Sequence, residues 1–596
     1  MCPHCGQPFG VGPSCQYCGY PAATAGSRPS RRGCAYTVLG LVSLLVAGLV
    51  IWRVADPPTS AGSPVAGATD QLPPTPATLS TTDTSTTDTS TTDTSTSDTS
   101  TTDSPTTDSQ TSPPTSTRGQ SSGAATSGVL KIGLTSLPTT TDPATDSAVT
   151  PVIWHQVFDT MTTYRGSSAT PAPDLATSWV SASSGKVWTF RIVAGKKFHD
   201  GVPVTAKAVC DNFNFWNSVK GDAQPEYYDW TYYFRGFAGQ PGALFTSCKD
   251  AGASAVLTFA RSMPALPDIL TLESFGIHSP SSLAVKKPVG SGPYQWVSAS
   301  PTTVVLRSSG PGSGRTTTLQ FLQIADSAAL AAAVRNGEIQ LSYRRGVPQG
   351  ADAGVTAQPP PGDLQVSLNL YGGHGPLADD KVRAAVVAAV DRRAIAGAVR
   401  SEPASSVLPA IFGGPRPPFP APNPAAASSV LKGKGVVLTM GVRSFGSSGT
   451  EPAIAQLISA QLADVGVSVK MKMYNSVSSY YEEIQAGKVD LSIGQVQAYM
   501  GDRGDFVSVY APNAAFGWVL PKNTRGALGN QIAQALSRPE NEARQAASSA
   551  VLTELLRQNA VLPLFTTGGT WLVGSGVDGF QPALFNTARL DTVSVR

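Results

Sequence analysis

Hydrophobic and polar positions follow three regimes along the 596 residues. From Cys34 to Trp52 (CAYTVLGLVSLLVAGLVIW) 19 residues run without a charged side chain. At about 1.5 Å rise per residue a helix of that length spans about 28 Å, close to a bilayer's hydrocarbon core, so the stretch predicts a transmembrane helix over 34–52. From Pro57 to Gly128 the pattern vanishes. The unit TTDTS recurs at 81, 86 and 91, followed by TSDTS at 96 and degraded copies, with no aliphatic face at helical or strand period. Its aspartates, set against the single Arg118, keep it solvated, which predicts a disordered linker over 57–128. As a flexible coil it would reach on the order of 50 Å.

The third regime, Val129 to Arg596, alternates as a folded chain does. Val129–Leu134 and Val187–Ile192 have strand periodicity, and Trp154 to Tyr164 suits a short helix or an irregular packed segment. Thr205 stands where an N-cap would start a helix through Val209, Phe213 and Trp216. Asp379 or Asp380 would cap a helix running to Ile395, with Val382, Val386 and Ala389 on its core face.

Charge orients the apolar stretch. Arg28, Arg31 and Arg32 precede it, while Arg53 is followed by Asp56 and Asp70, so the positive-inside rule puts residues 1–33 in the cytoplasm and the rest outside a cell membrane crossed once. A cleaved signal peptide is the competing reading. The apolar run exceeds the usual h-region of about 7–15 residues, and the nearest Ala-x-Ala, Ala66 to Ala68, lies well beyond it, which favours an uncleaved anchor. The net charge of +3 and the absence of a basic run beyond the membrane flank give nucleic-acid binding no electrostatic support.

The cysteines divide by side. Cys2, Cys5, Cys15 and Cys18 form two Cys-x-x-Cys pairs, each followed by glycine (Gly6, Gly19), within residues 1–22. Four thiolates at this spacing predict a zinc ribbon, and a closed four-sulfur site is structural rather than catalytic. A thioredoxin-like redox motif would need a βαβ context too large for this segment. Cys210 and Cys248 fall in the outer, oxidising compartment and are expected to form a disulfide, with two buried thiols as the alternative. His199-Asp200 invites a general-base reading, but adjacent strand residues point to opposite faces and no nucleophile in a suitable context accompanies them, so a hydrogen-bonded turn is preferred and no catalytic residue is assigned. Pro288 to Pro293 reads as a rigid turn aiming Tyr294 into a packed strand, without the Gly-Lys-Ser/Thr of a phosphate loop.

The globular region resembles the family 5 extracellular solute-binding proteins of ABC importers, which include oligopeptide- and dipeptide-binding proteins. The resemblance rests on an ordered series. Leu175-Ala-Thr-Ser-Trp179, Thr189-Phe190, Phe198-His-Asp-Gly201 and Thr205-Ala206 come first, then Pro288-Val-Gly-Ser-Gly-Pro-Tyr294. Asn369 with Pro376, Val382-Arg383 through Asp391-Arg392, Gln461-Leu462 with Gly466-Val467, and Gly487 to Leu491 follow. Ala208 replaces an acid usual in the family.

The resemblance implies an α/β fold of the two-lobed, type II periplasmic-binding-protein (flytrap) kind over 129–596, with an extra subdomain. The first lobe would take about 129–170 and 285–365 plus the C-terminal tail, the subdomain about 171–284, and the second lobe about 366–560. It further implies a small solute, a peptide in the first instance, captured between the lobes and passed to ABC permease subunits. A ligand sensor signalling across the membrane is the alternative, and an extracellular hydrolase ranks well behind both. Peptide-binding members place Trp-x-x-Asp in the second lobe to hold the substrate's α-amine. Here the aligned stretch is Val496-Gln-Ala-Tyr499, with Asp502 further on. Either Asp502 serves with a shift or lies in a solvated turn, or Tyr499 replaces the acid and favours a neutral or sugar-like ligand. Asn369 and the aromatic side chains Trp154, Tyr371 and Trp518 are further candidates for the cleft, with ordinary core burial the competing reading for the aromatics.

Overall fold

A computed structural model describes residues 128–596 apart from 147–149, 311–315, 345–355, 359–361, 405, 407, 413–418, 420, 445–449, 512–516, 521 and 539–540. The four cysteines expected to bind zinc, the apolar stretch 34–52 and the expected linker up to residue 127 lie outside the described residues. Among those described, no helix is long and apolar enough to cross a membrane.

Two mixed sheets organise the chain. The first has seven strands in the order Thr356–Gln358, Thr570–Val573, Leu341–Arg344, Val129–Leu134, Thr318–Gln323, Thr303–Ser308 and Tyr294–Ser300. Val129–Leu134, expected as a strand, lies at its centre and runs parallel to both neighbours. Central position explains why Leu130 and Ile132 are fully buried. The second sheet has six strands in the order Glu402–Pro403, Val561–Thr567, Leu364–Leu370, Leu491–Gln497, Val437–Arg443 and Ser468–Tyr474. The chain therefore passes between the sheets twice, after Gln358 and after Thr567. The second lobe extends to Thr567, beyond the expected limit near 560, because Val561–Thr567 pairs with Leu364–Leu370 rather than with the first sheet.

Between the first and second strands of the first lobe is inserted a four-stranded antiparallel sheet, Ala176–Ala182, Val187–Ile192, Ser254–Phe259 and Phe245–Ala251 in spatial order. The helix Ala206–Ser218 packs on it, and Thr205 caps that helix by accepting from the Ala208 amide at 3.1 Å. Aromatic rings fill the space: Phe213 meets Trp216 at 5.3 Å and Trp230 meets Phe234 at 4.7 Å between centroids. Cys210 of the helix and Cys248 of the edge strand are disulfide-bonded, their Cα atoms 5.0 Å apart.

Two local expectations need correction or completion. The helix begun by Asp379 stops at Ala389 rather than reaching Ile395. Asp391 interrupts it, since its carboxylate accepts from the amides of Arg393 and Ala394 and so caps a separate helix, Arg392–Ala398. The segment from Trp154 to Tyr164 is helical only over Pro151–Val157, and its end abuts the turn before Tyr294. A Cβ on Gly290 would lie 2.0 Å from the Val157 carbonyl oxygen, and one on Gly292 2.4 Å from that of Gln156. Glycine is what allows the two backbones to touch, and Tyr294 is delivered fully buried, its hydroxyl donating to Thr316 O at 3.1 Å.

The disulfide spans a sequence separation of 38 residues, so in the chain-entropy model it contributes about 4 kcal/mol. Replacing Cys210 and Cys248 together by alanine is expected to lower unfolding free energy by about 3–4 kcal/mol, read as a fall in the urea midpoint of the inserted subdomain's transition.

Candidate functional site at the lobe boundary

The two crossings lie side by side, and the site is built from them. Leu364 pairs with Thr567 where the second sheet ends. A Cβ on Gly362 would approach the Thr566 methyl to 2.7 Å, and one on Gly569 would overlap the Tyr343 hydroxyl at 1.9 Å. Asp363, next to this contact, binds a third segment: its carbonyl accepts from the Ala498 amide at 2.8 Å and its carboxylate from Gln497 Nε2 at 3.3 Å. The residues after the strand Leu491–Gln497 are thereby held at the boundary, facing the first lobe.

Two openings lie along that boundary. One is lined by Gln497, Ala498 and Tyr499 of the second lobe and by Tyr164, Glu273 and Phe585 among others of the first, and its free volume is ≈ 20 Å³, room for about one water molecule. The other is a groove of ≈ 530 Å³ between Ala169, Thr170 and Asp268 on one side and Phe412, Arg503 and Glu542 on the other. The wall between them is a direct contact. Tyr164 Oη accepts from the Gly501 amide at 2.7 Å and donates to Asp268 Oδ1 at 3.0 Å. Burial pushes the Asp268 carboxyl well above the usual carboxylate range, and Asp502 across the contact adds to the shift.

The residues expected at the cleft separate into distinct roles. Tyr499 borders the smaller opening and is 44% exposed. Trp154 is not at the boundary: it is fully buried in the first lobe, stacked on Trp296 at 5.2 Å, with its indole N–H donating to Asp146 at 2.8 Å. Asn369 and Tyr371 are interior to the second lobe. Asn369 fills the space a side chain at Gly494 would take, and Tyr371 shares a 2.8 Å hydrogen bond with Ser492. The side chain of Trp518 lies outside what is described.

Asp502 is neither a free amine anchor nor a solvated turn acid. It is 1% exposed and caps the helix Arg503–Ser508, accepting from the amides of Gly504 at 3.2 Å and Asp505 at 3.0 Å. Arg544 donates to it through Nε at 3.0 Å and Nη2 at 2.7 Å, and Gln545 Nε2 at 3.1 Å. Two carboxylate oxygens offer about four lone-pair sites, so these donors saturate it and leave no place for a substrate ammonium. Sequence reasoning missed Arg544 and Gln545, which stand on the helix Asn541–Arg557. It also missed Tyr164 and Asp268, whose relevance depends on which segments meet across the boundary.

His199 and Asp200 form the expected turn. His199 Nε2 lies 2.9 Å from Gly292 O, and the Asp200 carboxylate accepts from Ser279 and Ser281 hydroxyls at 2.6 Å each.

Two α/β lobes, joined by paired crossings with openings along their boundary, form the two-lobed fold of periplasmic binding proteins. Residues 170–518 match the family described as bacterial extracellular solute-binding proteins, family 5, and the chain belongs to that family, whose members bind small solutes and work with ABC permeases rather than as enzymes. Solved structures agree on the fold. HbpA2 from Haemophilus parasuis has a TM-score of 0.67 at 18% identity, over 79% of this chain and 100% of that one. NikA from Brucella suis, in complex with Fe(III)-EDTA, gives 0.66 at 20% identity, over 78% and 100%. The periplasmic binding protein DppA from Helicobacter pylori, in complex with the peptide STSA, gives 0.59 at 19% identity, over 79% and 98%. No match was found among curated proteins.

Removing one partner of the buried Asp502–Arg544 pair leaves the other charge without compensation. Asp502→Ala is expected to destabilise the second lobe by about 3–5 kcal/mol, measured by urea denaturation; a loss below about 1 kcal/mol would contradict this structural role.

Proposed function

We propose that the protein is a membrane-anchored extracellular receptor that captures a small, peptide-like solute between its lobes and presents it to an ABC-type importer. The observation that carries the ligand side of this reading is the placement of Tyr499, a half-exposed phenol at the lobe boundary beside Gln497, held there by Asp363. The phenol can donate and accept a hydrogen bond and stack on apolar surface, but it adds no negative charge. With Asp502 saturated, Tyr499 would hold the solute through neutral hydrogen bonds and ring contact, next to the groove wall that carries Arg503 and Glu542. The neighbour in complex with the peptide STSA supports the peptide class by likeness of fold. The same neutrality favours a second reading, a neutral non-peptide solute of similar size.

The anchored topology rests on the apolar stretch 34–52 and its Arg28, Arg31, Arg32 flank, with the zinc ribbon on the cytoplasmic side. Cys2, Cys5, Cys15 and Cys18 would hold zinc as a closed structural site that folds the short segment around it.

Mass spectrometry of what co-purifies with the full chain distinguishes the ligand classes: recovered peptides support the first reading, and a non-peptide solute overturns it. For whichever ligand is recovered, Tyr499→Ala is expected to weaken binding about tenfold, roughly 1.4 kcal/mol by calorimetry, and an unchanged Kd would remove Tyr499 from the site. Elemental analysis is expected to find one zinc per chain, lost in a Cys15→Ala, Cys18→Ala variant; zinc retained by that variant would contradict the four-cysteine site.

A further inference from the structure

The wall between the two openings is made entirely of atoms of this chain, and it joins the lobes. On the first-lobe side stand Tyr164, Ala169 and Asp268, with Asp229 and Tyr232 of the inserted subdomain's helix Tyr228–Phe234. On the second-lobe side stand Gly501, Asp502, Asp505 and Ser508. The contact at Gly501 is as close as a backbone permits. A Cβ there would sit 1.9 Å from Ala169 O and 2.9 Å from Asp268 Oδ1. Tyr232 Oη reaches across to Asp505 Oδ1 at 3.5 Å and Ser508 Oγ at 3.4 Å.

This contact gathers carboxyls from both lobes and, among the described residues, gives them little cationic compensation. Asp268 is faced by Tyr164, Asp502 and Arg544. Asp505 is faced by Asp502, Arg544, Asp229 and Tyr232, with Tyr233 also beside it. Arg544 is committed to Asp502. Arg503, on the groove wall with Glu542, spends its guanidinium on Ser549 Oγ at 3.0 Å and Phe412 O at 2.8 Å. Asp229 is met by the Ser274 hydroxyl, a neutral partner. With Asp268, Asp229 and Asp505 all ionised, the joined lobes would hold like charges against each other, Asp268 buried and Asp229 and Asp505 half-buried.

We propose that this contact is a proton-operated latch: protonated, its carboxyls let the lobes hold each other through Tyr164, Ala169 and Gly501, and ionised, they drive the lobes apart. Parting the lobes separates Asp268 from Asp502 and Asp505 from Asp229, and admits water to the buried Asp268 and more of it to the half-buried Asp229 and Asp505. The open form therefore has ordinary carboxylates, while the closed form retains protons. The direction of the shifts agrees. Burial, with Asp502 next, pushes Asp505 up to about 7, and burial likewise raises Asp229 and Asp268. A group that binds its proton more tightly in the closed form favours closure as pH falls. For Asp505 the change lies between its ordinary value near 4 and about 7, and the closed-to-open ratio falls up to about tenfold per pH unit for each proton released.

The latch rests on the reading of the molecule as a hinged receptor but needs no ligand to be tested. Donor and acceptor fluorophores incorporated at Val180 of the inserted subdomain and Met473 of the second lobe, both exposed, report lobe separation in the full chain held in lipid nanodiscs. Between about pH 5 and about pH 8 the closed fraction is expected to fall several-fold in the wild type. A variant carrying Asp268→Asn and Asp505→Asn is expected to stay closed throughout, and Gly501→Val to stay open throughout. Urea midpoints establish that each variant is folded, and a Gly501→Ala change replaces valine if the larger side chain prevents folding. A wild-type separation that does not change with pH overturns the latch, as does a doubly substituted variant that keeps the wild-type profile or a Gly501 variant that still closes. Failure of the peptide reading would appear only in the identity of the co-purified solute and would leave these distances unaffected.

Discussion

The structure depends on two chain crossings being packed against each other with almost no side-chain volume between them. Gly362 lies against Thr566 and Thr567, Gly568 lies 3.3 Å from the Cα of Gly362 by its would-be Cβ, and Gly569 lies under the Tyr343 ring. Side chains at these positions would force the crossings apart and break the register in which Leu364 meets Thr567. That register places Leu364–Leu370 between Val561–Thr567 and Leu491–Gln497 in the second sheet. Asp363 then fixes Gln497 and Ala498, so the same few residues that join the lobes also place Tyr499 at their boundary. The crossings and the proposed binding surface are consecutive parts of one covalent and hydrogen-bonded path.

Carboxylates at the boundary divide the work according to their partners. Asp502, saturated by helix amides, Arg544 and Gln545, is a fixed structural charge that docks the helix Arg503–Ser508 on Asn541–Arg557. Among the described residues, Asp268 and Asp505 have no cation of their own; Asp268 is buried and Asp505 half-buried, and burial raises the carboxyl of each, which makes them responsive to solvent. Tyr499, half-exposed at the smaller opening, carries no charge into that face. Asp502 is consumed by the fold, while Arg503 and Glu542 remain as charged residues on the second-lobe wall of the larger groove.

What could be read from the sequence was local or serial. The cap at Thr205, the tight turn before Tyr294 and the alternation of Val129–Leu134 are decided by neighbouring residues, and the ordered motifs carried the two-lobed plan because they recur in fixed succession. The break at Asp391 was also local, yet the apolar spacing that continues through Ile395 concealed it, because a helical stripe does not record that a side chain has captured the next amides. Partnerships between distant segments were not readable. Arg544 is 42 positions from Asp502, Trp296 is far along the chain from the Trp154 it stacks on, and Tyr164 meets Gly501 across 337 residues. An exposed-looking acid in a Gly-rich turn therefore gave no sign that it would be interior, and for Trp154 the sequence left core burial and the cleft as competing readings.

Latch and solute compete for the same surfaces. Tyr164 lines the smaller opening, Asp268 lines the larger groove, and both take part in the contact that divides them. An opening of ≈ 20 Å³ cannot take a peptide, whereas the ≈ 530 Å³ groove is of ligand size. A solute that reaches Tyr499 must therefore enter while Tyr164 and Gly501 are parted, and its own groups must then replace the hydrogen bonds those residues give each other. Only the surplus of the new contacts over the lost ones is available as affinity. When the latch is protonated that surplus is smallest, because the chain's own closure is most favourable. Ionisation of Asp268 and Asp505 weakens the competitor, so under the proposed latch solute affinity and lobe closure are coupled through protons, with Asp268 standing both in the latch and on the groove wall.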